Sequence, residues 1–352
     1  MKEDSGSKKL PALICLVGGA ILLIWALVLD FSGSKVGYRG ALLVIGLIGI
    51  IMGLYLFPTL KYHRTLVYVV FLFPLLFAFV VTVIIPLFLG LFYSFTNWNG
   101  IRYTEFVGVA NYARMFRQPS FIWSILITAL FVVFNMILVN LVAFLLALLC
   151  TSKLKGMGFF RASYFLPNLI GGIVLGYIWQ FVFSNVATKI FSSMKYSMLS
   201  STGTAFMAII IVYVWQYAGY IMLIYITGLN TVPGEVLEAS NIDGANAIQT
   251  LFQIKIPMIA PTITICTFLT LTSAFKQFDV NLSLTNGTGS VADFMGQYLT
   301  NGTQMLALNI YNTAVVENEY AFGQAKAFLF FVILACVSIL QVRISNKKEV
   351  EL

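Results

Sequence analysis

Long runs without charge, separated by short polar stretches, dominate the chain. A helix crosses the hydrocarbon layer of a bilayer in about 20 apolar residues. Runs at 10–29, 40–60, 66–93, 122–150, 162–184, 204–228, 257–278 and 322–342 meet that length, the last two with a single lysine each. They predict an all-α, polytopic membrane protein with about eight transmembrane helices. From Leu66 to Tyr93 no charge occurs. Pro74 and Pro86 lie inside that run and are expected to kink it, with other helices or water satisfying the freed carbonyls. The first run follows Lys8 and Lys9, as in a secretory leader. It is long for that role and ends in "LDFSGSK" rather than a small-x-small site, so a retained helix is expected.

Composition agrees with the pattern. The chain is 60% hydrophobic, 15% aromatic and 10% charged, with a mean hydropathy of +0.92; a soluble chain could not hide so much apolar surface. The single His argues against a histidine metal cluster. Cys15, Cys150, Cys266 and Cys336 all sit in apolar runs, where cysteine acts as a small hydrophobe. The net charge of +8 does not point to nucleic acid, because its lysines and arginines are scattered between the runs. With the N-terminus cytoplasmic, twelve of them fall in inside segments and seven in outside ones. The positive-inside rule therefore predicts both termini in the cytoplasm. Lys326, near the start of the last run, is expected to snorkel outward.

Several chemistries are missing from the sequence. It holds no G-x-x-x-x-G-K-[ST] loop for ATP, no H-E-x-x-H and no cysteine pair at zinc spacing. The runs hold no obvious chain of carboxylates such as a proton-driven pump needs. The chain reads as a passage whose motor is an ion gradient or another subunit.

One loop stands apart. In "EVLEASNIDGANAIQTLFQIKIP", Glu235, Glu238 and Asp243 gather between two strongly apolar stretches. Pro233 and Gly234 end the preceding run, and the two glutamates fall in early helical turns, where negative charge complements the helix dipole. Gly244 permits a left-handed or tight turn. A second short helix is expected after it, with Ile248, Leu251 and Phe252 on one face, until Pro257 opens the next span. Interfacial helices favour basic polar faces; this one is acidic, which suits docking to another protein better.

The same stretch carries a resemblance. Glu238-Ala239-Ser240, then Gly244, then Ile254-Lys255-Ile256-Pro257 resembles the E-A-A-x3-G-x9-I-x-L-P signature of permease subunits of binding-protein-dependent ABC importers. Ser240 and Ile256 are mild departures from it. "FVGVANYARMF", "FFRASYFLPNLIGGIVLGYIWQFVF", "YITGLNTVPGEVLEASNIDGA" and "FKQFDVNLSLTNGTG" are similar to segments of the sugar permease branch, the relatives of the maltose transporter's larger membrane subunit. The last lacks that family's G-G-P ending. The resemblance runs from about residue 66 to 342.

It implies a division into two added N-terminal helices (1–65), an importer core (66–343) with a cytoplasmic coupling loop at 229–257, and a tail (344–352). It implies a multi-pass protein of the bacterial cytoplasmic membrane that is not an enzyme. The chain itself would bind no cofactor; ATP and Mg would sit on two partner ATP-binding subunits. A second permease, in a heterodimer, and an extracytoplasmic solute-binding protein complete the expected assembly in the lipid bilayer. Glu238 and Gly244 are expected to carry the coupling. For a carbohydrate, aromatic faces and amide or carboxylate groups are the natural contacts. The candidates are Trp215, Gln216, Tyr217 and Tyr220, then Gln277, Asp279 and Asn281, with Trp179 and Gln180 behind them. Oligosaccharides lead monosaccharides and glycerol-phosphate compounds as the expected solute. An ion-coupled secondary transporter of a small polar solute remains the alternative.

Overall fold

The computed structural model describes residues 9–31, 37–56, 63–103, 105–152, 155–190, 196–287 and 302–346. Residues 288–301 of the outer loop and the tail from 347 lie outside these. So do Lys2, Lys8, Lys35, Lys61, Lys153, Lys195, Lys347 and Lys348, which entered the count for orientation. Among the described residues, seven helices are long and apolar enough to cross a bilayer. Ala247–Met258 and Ala260–Phe275, bent by 73° at the break between them, bring the number to eight if the pair is counted as one span. Helices account for the regular structure of the described residues apart from one isolated antiparallel bridge, Thr96 with Phe106. The chain divides into two compact units, Met1–Leu89 and Gly90–Leu352.

In the first unit, α1 (Lys9–Phe31) and α2 (Arg39–Leu56) form an antiparallel pair. In lipid, apolar surface gives no drive for helices to associate, so close packing of small residues takes over. A Cβ on Gly19 would sit 2.7 Å from the Gly46 carbonyl oxygen, and one on Gly53 would sit 2.8 Å from that of Ala12. Next come α3 (His63–Phe79), a π-helical stretch (Val80–Ile84) and α4 (Ile85–Ser94), the last crossing the boundary between units. Pro74 stays inside α3, and the wide π turn lies just ahead of Pro86. Proline lacks an N–H and its ring crowds the carbonyl four residues back; the wider turn makes room for it.

The second unit runs through α5 (Ala110–Phe116), α6 (Pro119–Cys150), α7 (Met157–Leu169), α8 (Gly172–Phe181) and α9 (Ala187–Ile190). It continues with α10 (Thr202–Leu229), α11 (Gly234–Ile242), α12 (Ala247–Gln249), α13 (Ile256–Met258) and α14 (Ala260–Phe275). It ends with α15 (Leu306–Tyr311) and α16 (Tyr320–Asn346). Its core lies where α6, α10 and α14 meet around Phe131, Val139, Ile209, Tyr213 and Cys266. A polar tie joins all three helices: Tyr225 donates to Asn140 Oδ1 at 2.9 Å, and Asn140 Nδ2 reaches Thr270 Oγ1 at 3.3 Å.

The structure departs from the sequence reading at three helix positions. The run expected at 162–184 is broken at Ile170 and Gly171, whose backbone is extended; the spanning helix is Gly172–Ile190. Pro257 does not open the following span but sits inside α13, and the bend falls at Ile259 with Pro261 in the first turn of α14. Lys326 does not snorkel. It is 1% exposed, because the short helical segment Leu306–Val316, made of α15 and the π-helical turn after it, offers it acceptors: its Nζ donates to Asn309 Oδ1 at 3.0 Å and Thr313 Oγ1 at 2.8 Å.

Two of the quoted sequence segments act as clamps on helix ends. Asn111 Nδ2 donates to the carbonyls of Ser94 and Thr96, at 2.8 and 3.0 Å, where α4 runs out of intrahelical partners. Tyr112 and Ser94 hydroxyls meet at 2.7 Å beside them. Arg161 reaches the carbonyl of Cys150, the last residue of α6; a cation there also opposes the negative helix end.

Candidate functional site

Two breaks in membrane helices face each other in the second unit. The first is Ile170-Gly171, between α7 and α8. The second follows α14, where Lys276, Gln277 and Phe278 are irregular before helix resumes at Asp279. Within lipid, backbone outside a helix is tolerated only against protein or a watery cavity. Gln216 Nε2 donates to the freed Ile170 carbonyl at 3.5 Å. A Cβ on Gly172 would lie 2.7 Å from that of Asp279, so only glycine lets the two breaks come this close. The same holds one turn on, where Gly176 gives room to the Ser283 side chain.

Beside the second break lies a cavity of about 360 Å³. α10 contributes Tyr217, Tyr220 and Ile221; α14 contributes Leu269, Thr272 and Ser273; the break contributes Lys276, Gln277, Phe278 and Asp279. Tyr213 holds the α10 wall in place. It stacks on Tyr217 with ring centroids 4.3 Å apart and donates to Ser273 Oγ at 2.8 Å. Gln277 is 5% exposed, and its Nε2 has no hydrogen-bond partner. A buried amide donor with nothing to bind is costly, by about 1–3 kcal/mol, unless water or a ligand satisfies it. The cavity thus offers aromatic faces, hydroxyls, an open amide and one charge of each sign. It lies within the size range of small-molecule pockets.

Four sequence candidates meet here: Tyr217, Tyr220, Gln277 and Asp279. The others are placed elsewhere. Trp215 packs edge-on against Trp179 at 5.4 Å. Gln216 supports the first break, and Gln180 is exposed on α8. Asn281 is fully buried, donating to Thr303 O at 2.8 Å while its Oδ1 accepts from Met305 N at 3.1 Å. Neighbours such as 215, 216 and 217 cannot share a helix face; 217 and 220 can. Sequence reasoning missed Thr272, Ser273, Lys276 and Phe278. The signal for them was the polar "KQ" at the end of an apolar run.

The acidic loop is built by local rules. α11 ends in a Schellman turn: Ala245 N donates to Ser240 O at 3.0 Å and Gly244 N to Asn241 O at 3.2 Å, with Gly244 at φ +75°. Asn246 then caps the next helix in a reciprocal capping box with Gln249. A π-helical stretch (Thr250–Lys255) carries it into α13. Glu235, Glu238, Ala239 and Asp243 are exposed, whereas Ser240 is buried with its hydroxyl on Leu237 O at 2.8 Å. Ile248 and Phe252 stand 69% and 62% exposed, and Leu251, Ile254 and Pro257 follow on the same arm. Between the arms is a hollow of about 460 Å³ lined by Ala239, Asp243, Gly244, Gln249, Gln253 and Ile254, among others. The hollow carries one acid, Asp243, on its wall, and the bare apolar side chains of Ile248 and Phe252 stand on the same loop.

Residues 156–350 match the family described as "Binding-protein-dependent transport system inner membrane component". The chain is 42% identical to the probable starch degradation products transport system permease protein AmyD of Thermoanaerobacterium thermosulfurigenes, over 81% of this chain and 96% of that one. It is 32% identical to the multiple sugar-binding transport system permease protein MsmF of Streptococcus mutans, over 75% of this chain and 90% of that one. In fold it is similar to a chain of a bacterial ABC transporter that imports the acidic polysaccharide alginate. The TM-score is 0.69 at 17% identity, covering 82% of this chain and 97% of that one.

Proposed function

This chain belongs to the family of binding-protein-dependent transport system inner membrane components, and from that premise we propose that it is the membrane-spanning subunit of an ATP-driven importer of glucose-type oligosaccharides. It is a multi-pass protein of the cytoplasmic membrane. The observation that carries the solute reading is the cavity beside the paired helix breaks, where Tyr217, Tyr220 and the unpartnered Gln277 amide converge. Tyrosine rings suit the C–H faces of a sugar, and the amide and hydroxyls suit its hydroxyl groups. The relatives that transport starch degradation products and multiple sugars support a carbohydrate.

In this reading both termini are cytoplasmic, and a second permease of different sequence closes the open side of the cavity. Two ATP-binding subunits, which hold ATP and Mg, each grip one permease. The loop of α11 to α13 enters a groove on one of them, Glu238 and Asp243 supplying polar contacts and Ile248 and Phe252 the apolar ones. An extracytoplasmic binding protein delivers the solute. ATP binding closes the ATPase pair, and the stiff, capped loop passes that movement to the spans as rocking between two states.

The test is uptake of labelled maltotriose by the complete transporter in proteoliposomes. Tyr220→Leu and Gln277→Ala are expected to raise KM about tenfold, as loss of an aromatic face or one buried hydrogen bond would, while maximal ATP hydrolysis holds. Unchanged KM in both variants overturns the cavity assignment. Uptake that survives ATP removal but stops with a proton or sodium ionophore overturns the importer reading.

A further inference from the structure

Lys326 is a buried cation whose two hydrogen-bond acceptors are neutral, with the carboxylates of Glu317 and Glu319 close enough to attract it and Arg114 to repel it. Its ammonium donates to Asn309 and Thr313 and lies 4.4 Å from the centre of the Phe322 ring and 5.5 Å from that of Phe121. An ammonium in a membrane helix is expensive, and such groups face the protein interior and mark function. Its two acceptors sit four residues apart, on one face of the helical segment Leu306–Val316. That segment is too short to span. Midway between them Tyr311 turns to the opposite face and packs against Phe278, with ring centroids 5.1 Å apart. Phe278 lines the cavity. The chain of contact therefore runs from Lys326 to the back of the short helix, through Tyr311 on its front, to a wall of the cavity.

The rest of the anchoring leaves this link a separate role. Leu306 N donates to Thr128 Oγ1 at 2.8 Å and so fixes the start of the segment, and a Cβ on Gly323 would meet that of Ala314 at 2.7 Å beyond it. Neither sets the rotation of the helix about its own axis as directly as two side-chain bonds flanking Tyr311. We propose that Lys326 is a positioning residue for the solute cavity: it sets the rotation of the short outer helix and, through Tyr311 and Phe278, the shape of the site. The inference rests on the reading that this cavity receives the solute.

The experiment pairs two readouts on the complete transporter in membranes. The first is the rate of oxidative cross-linking in a Phe278→Cys, Tyr311→Cys chain against single-cysteine controls, with and without Lys326→Met. The second is the KM and maximal rate of maltotriose uptake in chains that keep Phe278 and Tyr311. Lys326→Met is expected to slow cross-linking and raise KM about fivefold or more at near-normal maximal rate, as loss of two charge-assisted bonds allows. In a Tyr311→Leu background it should add nothing further. Thr313→Val, which removes one acceptor and keeps the volume, should shift both readouts in the same direction and carries the test if Lys326→Met fails to insert. Cross-linking and KM unchanged in the inserted variants overturn the proposal, and so does a fall in maximal rate alone, which marks a merely structural lysine. If cross-linking slows in the Lys326 and Thr313 variants while Tyr220→Leu and Gln277→Ala leave KM unmoved, the positioning holds and the solute reading fails.

Discussion

Gly244 joins the two arms of the acidic loop, and its replacement separates backbone shape from side-chain bulk. A Cβ at this position would meet nothing within 4 Å, so size alone is not forbidden within the chain. The constraint is the backbone, at φ +75°. A left-handed residue other than glycine costs about 1–2 kcal/mol, asparagine less and β-branched residues more. The turn also depends on the Schellman bonds Ala245 to Ser240 and Gly244 to Asn241, each worth about 1 kcal/mol, which loosen if φ relaxes to a negative value. Gly244→Ala thus sets about 1–2 kcal/mol against a turn of similar strength, enough to populate unbent loops severalfold. The expected order of damage is Val worst, Ala intermediate and Asn close to wild type. The assay is the ratio of solute transported to ATP hydrolysed in proteoliposomes, with co-purification of the ATPase as the measure of docking. A normal ratio in Gly244→Val refutes the coupling role. Asn as harmful as Val refutes the backbone argument and makes side-chain size in the partner's groove the cause.

Substitutions at two further positions test the frame of the second unit. Gly219 has no room for a Cβ, which would overlap the Tyr164 carbonyl of α7; Gly219→Ala should cost about 1–3 kcal/mol by overpacking, seen as a lower unfolding temperature in detergent, and Gly219→Val should lower the inserted amount. Asn111→Leu removes both donors to Ser94 and Thr96; a loss of about 1–3 kcal/mol is expected, with KM unchanged at sub-denaturing temperature because the clamp lies outside the cavity lining.

Legibility differed between the two sites for a physical reason. The loop could be read closely because its shape is local: a glycine after "SNID" makes a Schellman turn, and N-x-x-Q makes a capping box, from backbone bonds spanning five residues or fewer. Pro257 misled, because a proline is tolerated inside a short first turn as readily as at a span's start. The cavity could be read only in part. Polar residues near span ends were visible, but nothing local distinguishes Gln277, left open, from Asn281, saturated by Thr303 and Met305. Lys326 likewise looked free to snorkel, because its acceptors stand 17 and 13 residues away on another helix.

The sequence by itself determined the helical membrane fold and the bent acidic loop. Transfer of an apolar run into lipid and closure of a tight turn depend on neighbouring residues alone. Only the tertiary structure decided that two helix breaks, more than a hundred residues apart in the chain, would meet at Gly172 and Asp279 and open a cavity beside them. Which polar groups are satisfied in such a place depends on partners brought together by packing, and in lipid that packing rests on small residues and buried hydrogen bonds whose pairing leaves no periodic trace in the chain.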